Sequence, residues 1–278
     1  SIVEMMFSLE QMAQISGDLV YIEQLEKIAF NALPAQISDD FKLHQYFQQP
    51  NQVSITRGFR NFDVENDGTS NLFGKLTGYP CCFCNQHQGW PKFTQNLWLR
   101  SSDGGLAALS YSPCSVTTKI ADNMISLYET TYYPFDETII IEVISGNASF
   151  PLHLRIPSWA DGANIKVNGA QIDGVVKGTI CTINRNWNKG DKVELTFPMQ
   201  VEISRWYENA ATVERGPLVY ALALKENWVE KEFGENDFDY PWKHGQTYWE
   251  VTSEDSWNYG LLDTDVKTPN KHFKVSVN

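Results

Sequence analysis

The stretch "FPLHLRIPSWADGANIKVNG", residues 150–169, decides the fold class of the second part of this sequence. Its first residues alternate between apolar and polar types, and the pattern returns after a turn rich in Pro, Asp and Gly, as in two half-buried strands. Similar β-branched segments lie on both sides: "TIIIEVI" (138–144), "DKVELTF" (191–197) and "PLVYALAL" (217–224). Together they predict an antiparallel β-sandwich region over residues 105–278, which starts after the "SSDGG" turn at 101–105.

The residues before that turn, 1–104, have a helical period. Apolar residues such as Ile2, Met5 and Leu9 follow the spacing of an amphipathic helix, and Gly17 supplies a stop. Asp18 is a cap for a second helix, and Pro34 ends it. The sequence therefore predicts a helical hairpin, and the whole chain is predicted to be an α + β multidomain protein.

Two parts of the chain lack a clear period. Residues 41–80 form a long irregular stretch rich in Asn, Gln, Gly and Asp, and long loops of that kind are often functional. From Glu226 onward the acidic and aromatic sequence predicts loops, with strand character returning near 247–252 and 272–277.

Three of the five cysteines lie together in "YPCCFCNQHQGW", residues 79–90. A disulfide staple, a structural metal site and a metal-held reactive cysteine all explain such a cluster. The odd number of cysteines and the strain of bridging neighbours disfavour disulfides, whereas adjacent thiolates such as Cys81 and Cys82 can both reach one soft cation. The spacing of Trp90 and Trp98 predicts a helix after the cluster, whose dipole is expected to lower the pKa of the thiols.

Composition limits the partners. The net charge of −12 repels phosphate backbones, so nucleic acid is not an expected partner, and no apolar run is long enough to span a membrane. The first residues, "SIVEMMFSLEQMAQISG", lack the basic region and continuous apolar core of a secretory signal. Aromatic residues make up 13% of the chain, and they serve either as sandwich core or as platforms for sugars.

Three separate tracts carry a resemblance to a known family: "GYPCCFCNQHQGWPKFTQNLW" (78–98), "FPLHLRIPSWADGANIKVNG" (150–169) and "VERGPLVYALAL" (213–224). In this order they resemble glycoside hydrolase family 127, whose best-known members are β-L-arabinofuranosidases. The resemblance implies that residues 1–104 form the C-terminal part of an (α/α)6 barrel catalytic domain, followed by the β-sandwich region at 105–278. It is compatible with a bacterial periplasmic or extracellular location.

The resemblance also implies a zinc ion held by one glutamate and three cysteines. It assigns Cys81 as nucleophile and zinc ligand and Cys82 as zinc ligand, and it leaves Cys84 as an extra thiol. The family's other two ligands and its acid/base glutamate are expected before residue 1, so the segment is expected to be an incomplete fragment that is inactive alone.

Two further residues are candidates for substrate binding. Glu26, in "YIEQLEKIAFNALPA", matches a tract in which the family has a glutamate near the sugar, although an exposed helix residue would look the same. His87, three positions after Cys84, is a candidate sugar contact, although its spacing also fits a zinc ligand and an ordinary capping or core histidine would look the same.

The expected function is a retaining glycoside hydrolase, similar to the β-L-arabinofuranosidases, that uses a zinc-held thiolate. Its expected substrate is an arabinofuranoside or a related plant glycan. The alternative is a non-catalytic β-sandwich module that binds carbohydrate or packs against a neighbour, with a structural zinc site.

Overall fold

The computed structural model describes residues 2–49, 51–59, 68–234 and 243–276. The fold mixes helices and sheets, as expected for an α + β chain. Its helices are α1 (Ile2–Ser16), α2 (Val20–Lys27), a π-helical turn (Ile28–Ala32), α3 (Leu33–Ala35), α4 (Pro80–Gln86), α5 (Gly89–Gln95), a 3-10 turn (Tyr207–Asn209), α6 (Asp263–Lys267) and α7 (Pro269–His272).

The strands belong to four sheets. They are β1 (His44–Gln45), β2 (Phe73–Gly74), β3 (Trp98–Arg100), β4 (Leu106–Ala108), β5 (Cys114–Ile120), β6 (Asn123–Thr131), β7 (Thr138–Ser145), β8 (Asn147–Arg155), β9 (Asn164–Val167), β10 (Ala170–Gln171), β11 (Ile180–Asn188), β12 (Lys192–Thr196), β13 (Val201–Arg205), β14 (Ala211–Arg215), β15 (Leu218–Tyr220), β16 (Asn227–Glu232) and β17 (Thr247–Thr252).

The first two helices form as predicted. Gly17 has a φ of +71°, a conformation that glycine adopts readily, and its N–H donates to the carbonyl of Ala13 at 2.8 Å, which ends α1. The carboxylate of Asp18 accepts from the N–H of Val20 at 3.0 Å at the start of α2. Pro34 lies inside the last helical turn, α3, and the helix ends one residue later.

The chain divides into two compact units. The first contains residues 1–5, 31–90 and 221–261, and the second contains residues 6–30, 91–220 and 262–278. Within the first unit, β1, β2, β17 and β16 form a four-stranded sheet in that order. Leu72, Phe233 and Tyr248 pack together in a small core of this unit.

Two sheets of the second unit face each other across one hydrophobic core. The six-stranded sheet has the order β10-β9-β12-β7-β6-β5, and the four-stranded sheet has the order β11-β8-β4-β3. The alternation in β8 places Phe150, Leu152 and Leu154 in this core, and Trp187 of β11 is fully buried in it. The pairing is antiparallel except between β4 and β8, which are parallel. A separate sheet of three strands is formed by β13, β14 and β15.

Four local expectations are wrong. Trp98 lies on strand β3 rather than on the helical face of Trp90, because α5 ends at Gln95. Met5, which the spacing places on the same apolar face as Leu9, is exposed, whereas Leu9 is buried. The residues from 227 to 232 form strand β16 instead of a loop, and residues 272–276 contain the end of α7 and no strand. The rest of that predicted loop, 235–242, lies outside the described residues.

A buried carboxylate lies at the edge of the second unit's core. Glu129 of β6 accepts from the indole N–H of Trp98 at 3.0 Å and from the backbone N–H of Ser112 at 2.9 Å. Burial raises the pKa of Glu129 to about 8, against the lowering effect of these hydrogen bonds. Because the folded state then holds a proton that the unfolded state releases near pH 4.5, this group's contribution to stability is present below that pH and is lost as the pH rises through about 8.

We expect Glu129→Gln to flatten that pH dependence, because the amide stays neutral at every pH. Since its single carbonyl oxygen can accept only one of the two hydrogen bonds, which end on different carboxylate oxygens, we also expect the variant to be less stable than the parent at pH 5. Urea unfolding at pH 5, 6.5 and 8 measures the effect as the difference in unfolding free energy between variant and parent. The exposed Glu142 on β7 supplies the control, Glu142→Gln. Parallel pH profiles for the parent and Glu129→Gln would show that Glu129 is already ionised in the folded protein at pH 5.

Candidate functional site

The predicted reactive cysteines lie on a short helix of the first unit. Tyr79 is extended at the N-cap of α4 and Pro80 occupies the first turn, where its missing N–H needs no partner. Cys81 and Cys84 are exposed, Cys82 is partly buried, and all five cysteines of the chain are free thiols. The short helix therefore presents a pair of adjacent thiols at the surface of the unit.

The two adjacent thiols interact with each other. Burial raises the pKa of Cys82, and the neighbouring thiol of Cys81 raises it further through its charge and a hydrogen bond. The expectation that the helix dipole lowers the pKa is therefore wrong for Cys82, because α4 has only seven residues and burial outweighs the dipole. A cation that binds both sulfur atoms would remove this repulsion.

Tyr46 supports Cys82 from the long irregular stretch. Its side chain forms a hydrogen bond with the thiol of Cys82, and its ring lies 5.6 Å from the ring of Tyr79. Gly78 allows this approach: its φ is +57°, and a Cβ at this position would lie 2.3 Å from the Cβ of Tyr46. No side chain larger than hydrogen fits there without moving Tyr46.

His44 packs under the cysteine helix. Its ring lies 5.0 Å from the ring of Phe83, and its Nδ1 is 2.8 Å from the carbonyl oxygen of Gly74, so that Nδ1–H is the donor. Burial lowers the pKa of His44 and so favours the neutral imidazole, whereas the hydrogen bond to Gly74 opposes this lowering. The helix is thus held by β1 and the loop that follows β2.

A cavity of about 110 Å³ adjoins Cys82. Its lining includes Glu4, His44, Tyr46 and Asn85. The sequence predicts a function for the long irregular stretch but does not single out Tyr46 and His44, because the contacts that bring them to Cys82 join positions far apart in the chain. A glycine followed closely by a cysteine pair, with a His-Gln-Tyr-Phe run upstream, is the only signal that the sequence offers for them.

The predicted sugar contact His87 is the C-cap of α4 and is exposed. It lies one helical turn after Cys84, at the end of the helix away from Tyr79. The structure therefore leaves His87 accessible to a ligand, and its role in substrate binding stays a prediction.

The donor chemistry of the pair suits a soft cation. Cys81 and Cys82 offer two neighbouring sulfur atoms, which zinc prefers. Over the part of the chain that the structure describes, there is no group of three or more His, Cys, Asp or Glu side chains arranged to hold a metal ion. The described residues thus fit as two ligands of a zinc ion and do not form a complete cage.

The other predicted substrate contact, Glu26, belongs to the second unit and is almost completely buried, with 1% of its surface exposed. Its carboxylate lies 2.5 Å from the guanidinium of Arg155 and accepts from the hydroxyl of Tyr133 at 2.9 Å. Burial raises the pKa of Glu26, and Arg155 opposes this rise. The alternative of an exposed helix residue is wrong, and these contacts bind α2 to β8; a contact with substrate stays a prediction.

Two family descriptions match the chain in the expected order. Residues 1–95 match the β-L-arabinofuranosidase GH127 catalytic domain, and residues 105–199 match the β-L-arabinofuranosidase GH127 middle domain. The chain belongs to glycoside hydrolase family 127.

Individual relatives agree with this family. The chain is 26% identical to the non-reducing end β-L-arabinofuranosidase of Bifidobacterium longum subsp. longum, with 81% of the chain and 35% of the relative covered. A GH127 β-L-arabinofuranosidase structure from Geobacillus stearothermophilus T6, Ara127N-Se, superposes with a TM-score of 0.65 at 22% identity, covering 94% of the chain and 44% of that protein. A structure described as a glycoside hydrolase gives the same TM-score at 23% identity, covering 86% and 38%. The chain thus spans less than half the length of these relatives.

No helix in the described ranges has both the length and the apolar character that a membrane crossing requires.

Proposed function

We propose that this chain is part of a retaining glycoside hydrolase that cleaves β-L-arabinofuranosides, with Cys81 as the nucleophile. The observation that carries the proposal is the exposed thiol of Cys81 beside the partly buried Cys82, within the region that matches the GH127 catalytic domain. The names of the relatives support arabinofuranosides as the substrate class.

The chemistry needs two displacements at one carbon. The thiolate of Cys81 attacks the anomeric carbon, the bond to the leaving oxygen breaks, and that oxygen takes a proton from a general acid. Water then attacks the same carbon, loses its proton to the conjugate base, and the carbon–sulfur bond breaks to return the thiolate. Two inversions give net retention.

The supporting residues keep Cys81 in position. Cys82, fixed by its burial and by Tyr46, is the anchor of the pair, and Gly78 sets the turn that leads into α4. A zinc ion bound by Cys81 and Cys82 would keep both thiols deprotonated. His87, exposed at the end of the helix, is a proposed contact for sugar hydroxyls.

We also propose a fold for the two parts of the chain from the comparison with GH127 structures. Helices α1 and α2 and the cysteine helix α4 are the last part of an (α/α)6 barrel, and the two facing sheets are the β-sandwich that follows it. The superposition with a GH127 structure over 94% of the chain supports this arrangement.

Hydrolysis of an aryl β-L-arabinofuranoside tests the activity. The intact protein is expected to release the aryl alcohol and to give a β-configured first product in proton NMR, whereas the α-L-anomer of the substrate is expected to be stable. A first product of inverted configuration would exclude the double displacement. Absence of cleavage with both anomers would favour the non-catalytic module.

Metal analysis gives an independent prediction. We expect the intact protein to contain about one zinc ion per chain and Cys82→Ser to lose most of it, because one of two described sulfur ligands is removed. Elemental analysis after gel filtration measures the content, and Cys181→Ser is the control, since Cys181 packs against the core of the other unit. Equal zinc in Cys82→Ser and in the control would place the metal elsewhere.

A further inference from the structure

We propose that the tip of the β13–β14 hairpin is a carbohydrate-binding platform, in which Trp206 and Tyr207 hold a glycan chain by stacking. The proposal takes its ligand class, a neutral sugar chain, from the proposed function. Its own support is the way in which the second unit fixes an exposed indole.

Trp206 and Tyr207 are presented by a tight turn. Trp206 is 59% exposed and Tyr207 is 85% exposed, although aromatic side chains of this size are usually buried. The next two residues, Glu208 and Asn209, have φ values of +52° and +60°, which are unfavourable for residues other than glycine. Hydrogen bonds between the backbones of Trp206 and Ala210 and from the side chain of Arg205 to the carbonyl of Asn209, each 3.0 Å, hold the turn closed.

The ring of Trp206 is held by a closed circuit of interactions. Its N–H donates to the hydroxyl of Ser204 at 2.8 Å, and that hydroxyl donates to one carboxylate oxygen of Glu214 at 2.5 Å. The ammonium of Lys27 donates to the other oxygen of Glu214 at 2.5 Å and lies 5.6 Å from the centre of the Trp206 ring. Three side chains, from α2, β13 and the neighbouring β14, thus fix the orientation of one exposed ring.

Fixing an exposed indole has a consequence for binding. A ligand that stacks on the ring loses little free energy to the ordering of the Trp206 side chain, because the circuit and the closed turn already hold that side chain in one orientation. The carboxylate of Glu214 is buried, so its hydrogen bonds to Ser204 and Lys27 are partly shielded from competition by water. This preorganisation distinguishes Trp206 from an exposed tryptophan that merely lies on the surface.

The chemistry of the tip suits a neutral sugar. The indole offers a flat apolar face to the C–H groups of a sugar ring, and the exposed Tyr207 adds a second ring with a hydroxyl that can bond sugar hydroxyls. Lys27 and Arg205 balance the charges of Glu208 and Glu214, and the net charge of −12 on the chain disfavours an anionic ligand. A glycan chain therefore fits the tip better than a phosphate-bearing or acidic partner.

Native electrophoresis of the intact protein in gels that contain soluble arabinan tests the platform directly. We expect the polysaccharide to retard the parent, Trp206→Ala to bind roughly tenfold more weakly, and Trp206→Phe to keep most of the affinity because a ring remains. Trp257→Ala is the matched control, since Trp257 is 58% exposed and belongs to the other unit. Kinetics add a second readout: Trp206→Ala should lower kcat/KM for a long glycan that ends in β-L-arabinofuranose and leave an aryl β-L-arabinofuranoside unaffected.

Several results would overturn the platform. They are a parent that arabinan does not retard, a Trp206→Ala variant retarded as strongly as the parent, and an equal loss of kcat/KM on the long and the short substrate. A change of oligomeric state in Trp206→Ala, seen by light scattering, would instead make the tip an interface between copies. Retardation that depends on Trp206 in a protein without hydrolytic activity would support the platform while contradicting the proposed function.

Discussion

Replacing Arg155 by methionine is expected to lower the free energy of unfolding by about 3–5 kcal/mol. Arg155 and Glu26 are both almost fully buried, and their charged atoms lie 2.5 Å apart. Without the guanidinium, the carboxylate of Glu26 keeps only the hydroxyl of Tyr133 as a described hydrogen-bond partner. A buried carboxylate must then either stay charged without a counter-ion or take up a proton, and both are unfavourable.

The double variant Glu26→Leu/Arg155→Met is the decisive comparison. Because it removes both charges and fills the space with apolar groups, it is expected to recover most of the stability that Arg155→Met loses. Lys119→Met serves as a control, since it breaks an exposed ion pair with Asp122 of 3.2 Å and should change stability by less than about 1 kcal/mol. Urea unfolding followed by circular dichroism measures all three. A double variant as unstable as Arg155→Met would mean that packing of the arginine stem, and not an unpaired charge, causes the loss.

The strand that carries Arg155 could be predicted from the sequence, whereas the ion pair of Arg155 could not. The "HLRIPSW" run was recognisable as a strand because Leu152, Leu154 and Ile156 alternate with other residues, and the structure buries all three. The same pattern gave no hint that Arg155 points inward to meet Glu26. A buried ion pair between a helix and a strand 129 positions later depends on tertiary contacts that no local period contains.

The wrong predictions for residues 227–232 and for Trp98 have similar physical causes. Strand β16 is exposed at every position, so it lacks the alternation that marks a half-buried strand and is held instead by its ladder with β17. Trp98 shares a helical spacing with Trp90 by coincidence, because α5 ends at Gln95 and the chain then enters β3. Periodicity detects burial on one face of an element, and it gives no signal for a strand whose residues are all exposed.

The sequence predicts a chemistry for the candidate site and does not predict its supports. Three cysteines within four positions predict a site for a thiol-binding cation. The hydrogen bond from Tyr46 and the close approach that requires Gly78 come from a loop without a period. Those contacts fix Cys82 more than Cys81. We therefore expect a change of Cys82 to affect metal binding first and a change of Cys81 to affect catalysis.

Cys81→Ser is expected to reduce glycosidic cleavage by the intact protein by on the order of 10³-fold or more, because a serine hydroxyl is far less ionised than a thiol and a weaker nucleophile. Cys82→Ser is expected to weaken metal binding first, so that added zinc restores part of its activity, whereas the Cys81→Ser defect does not respond to zinc.

The two variants are matched, since they differ only in which of two adjacent thiols becomes a hydroxyl. Assays on an aryl β-L-arabinofuranoside with and without excess zinc separate their effects, and Cys84→Ser, which changes the exposed third thiol of the cluster, is the control. Mass spectrometry of the peptide that contains "YPCCFCNQ" should show one added pentosyl group on Cys81 after rapid acid quenching. Near-normal turnover in Cys81→Ser, or an adduct on a carboxylate, would contradict a thiolate nucleophile. In that case the cysteine cluster would be a structural site, and its metal ion would stabilise α4.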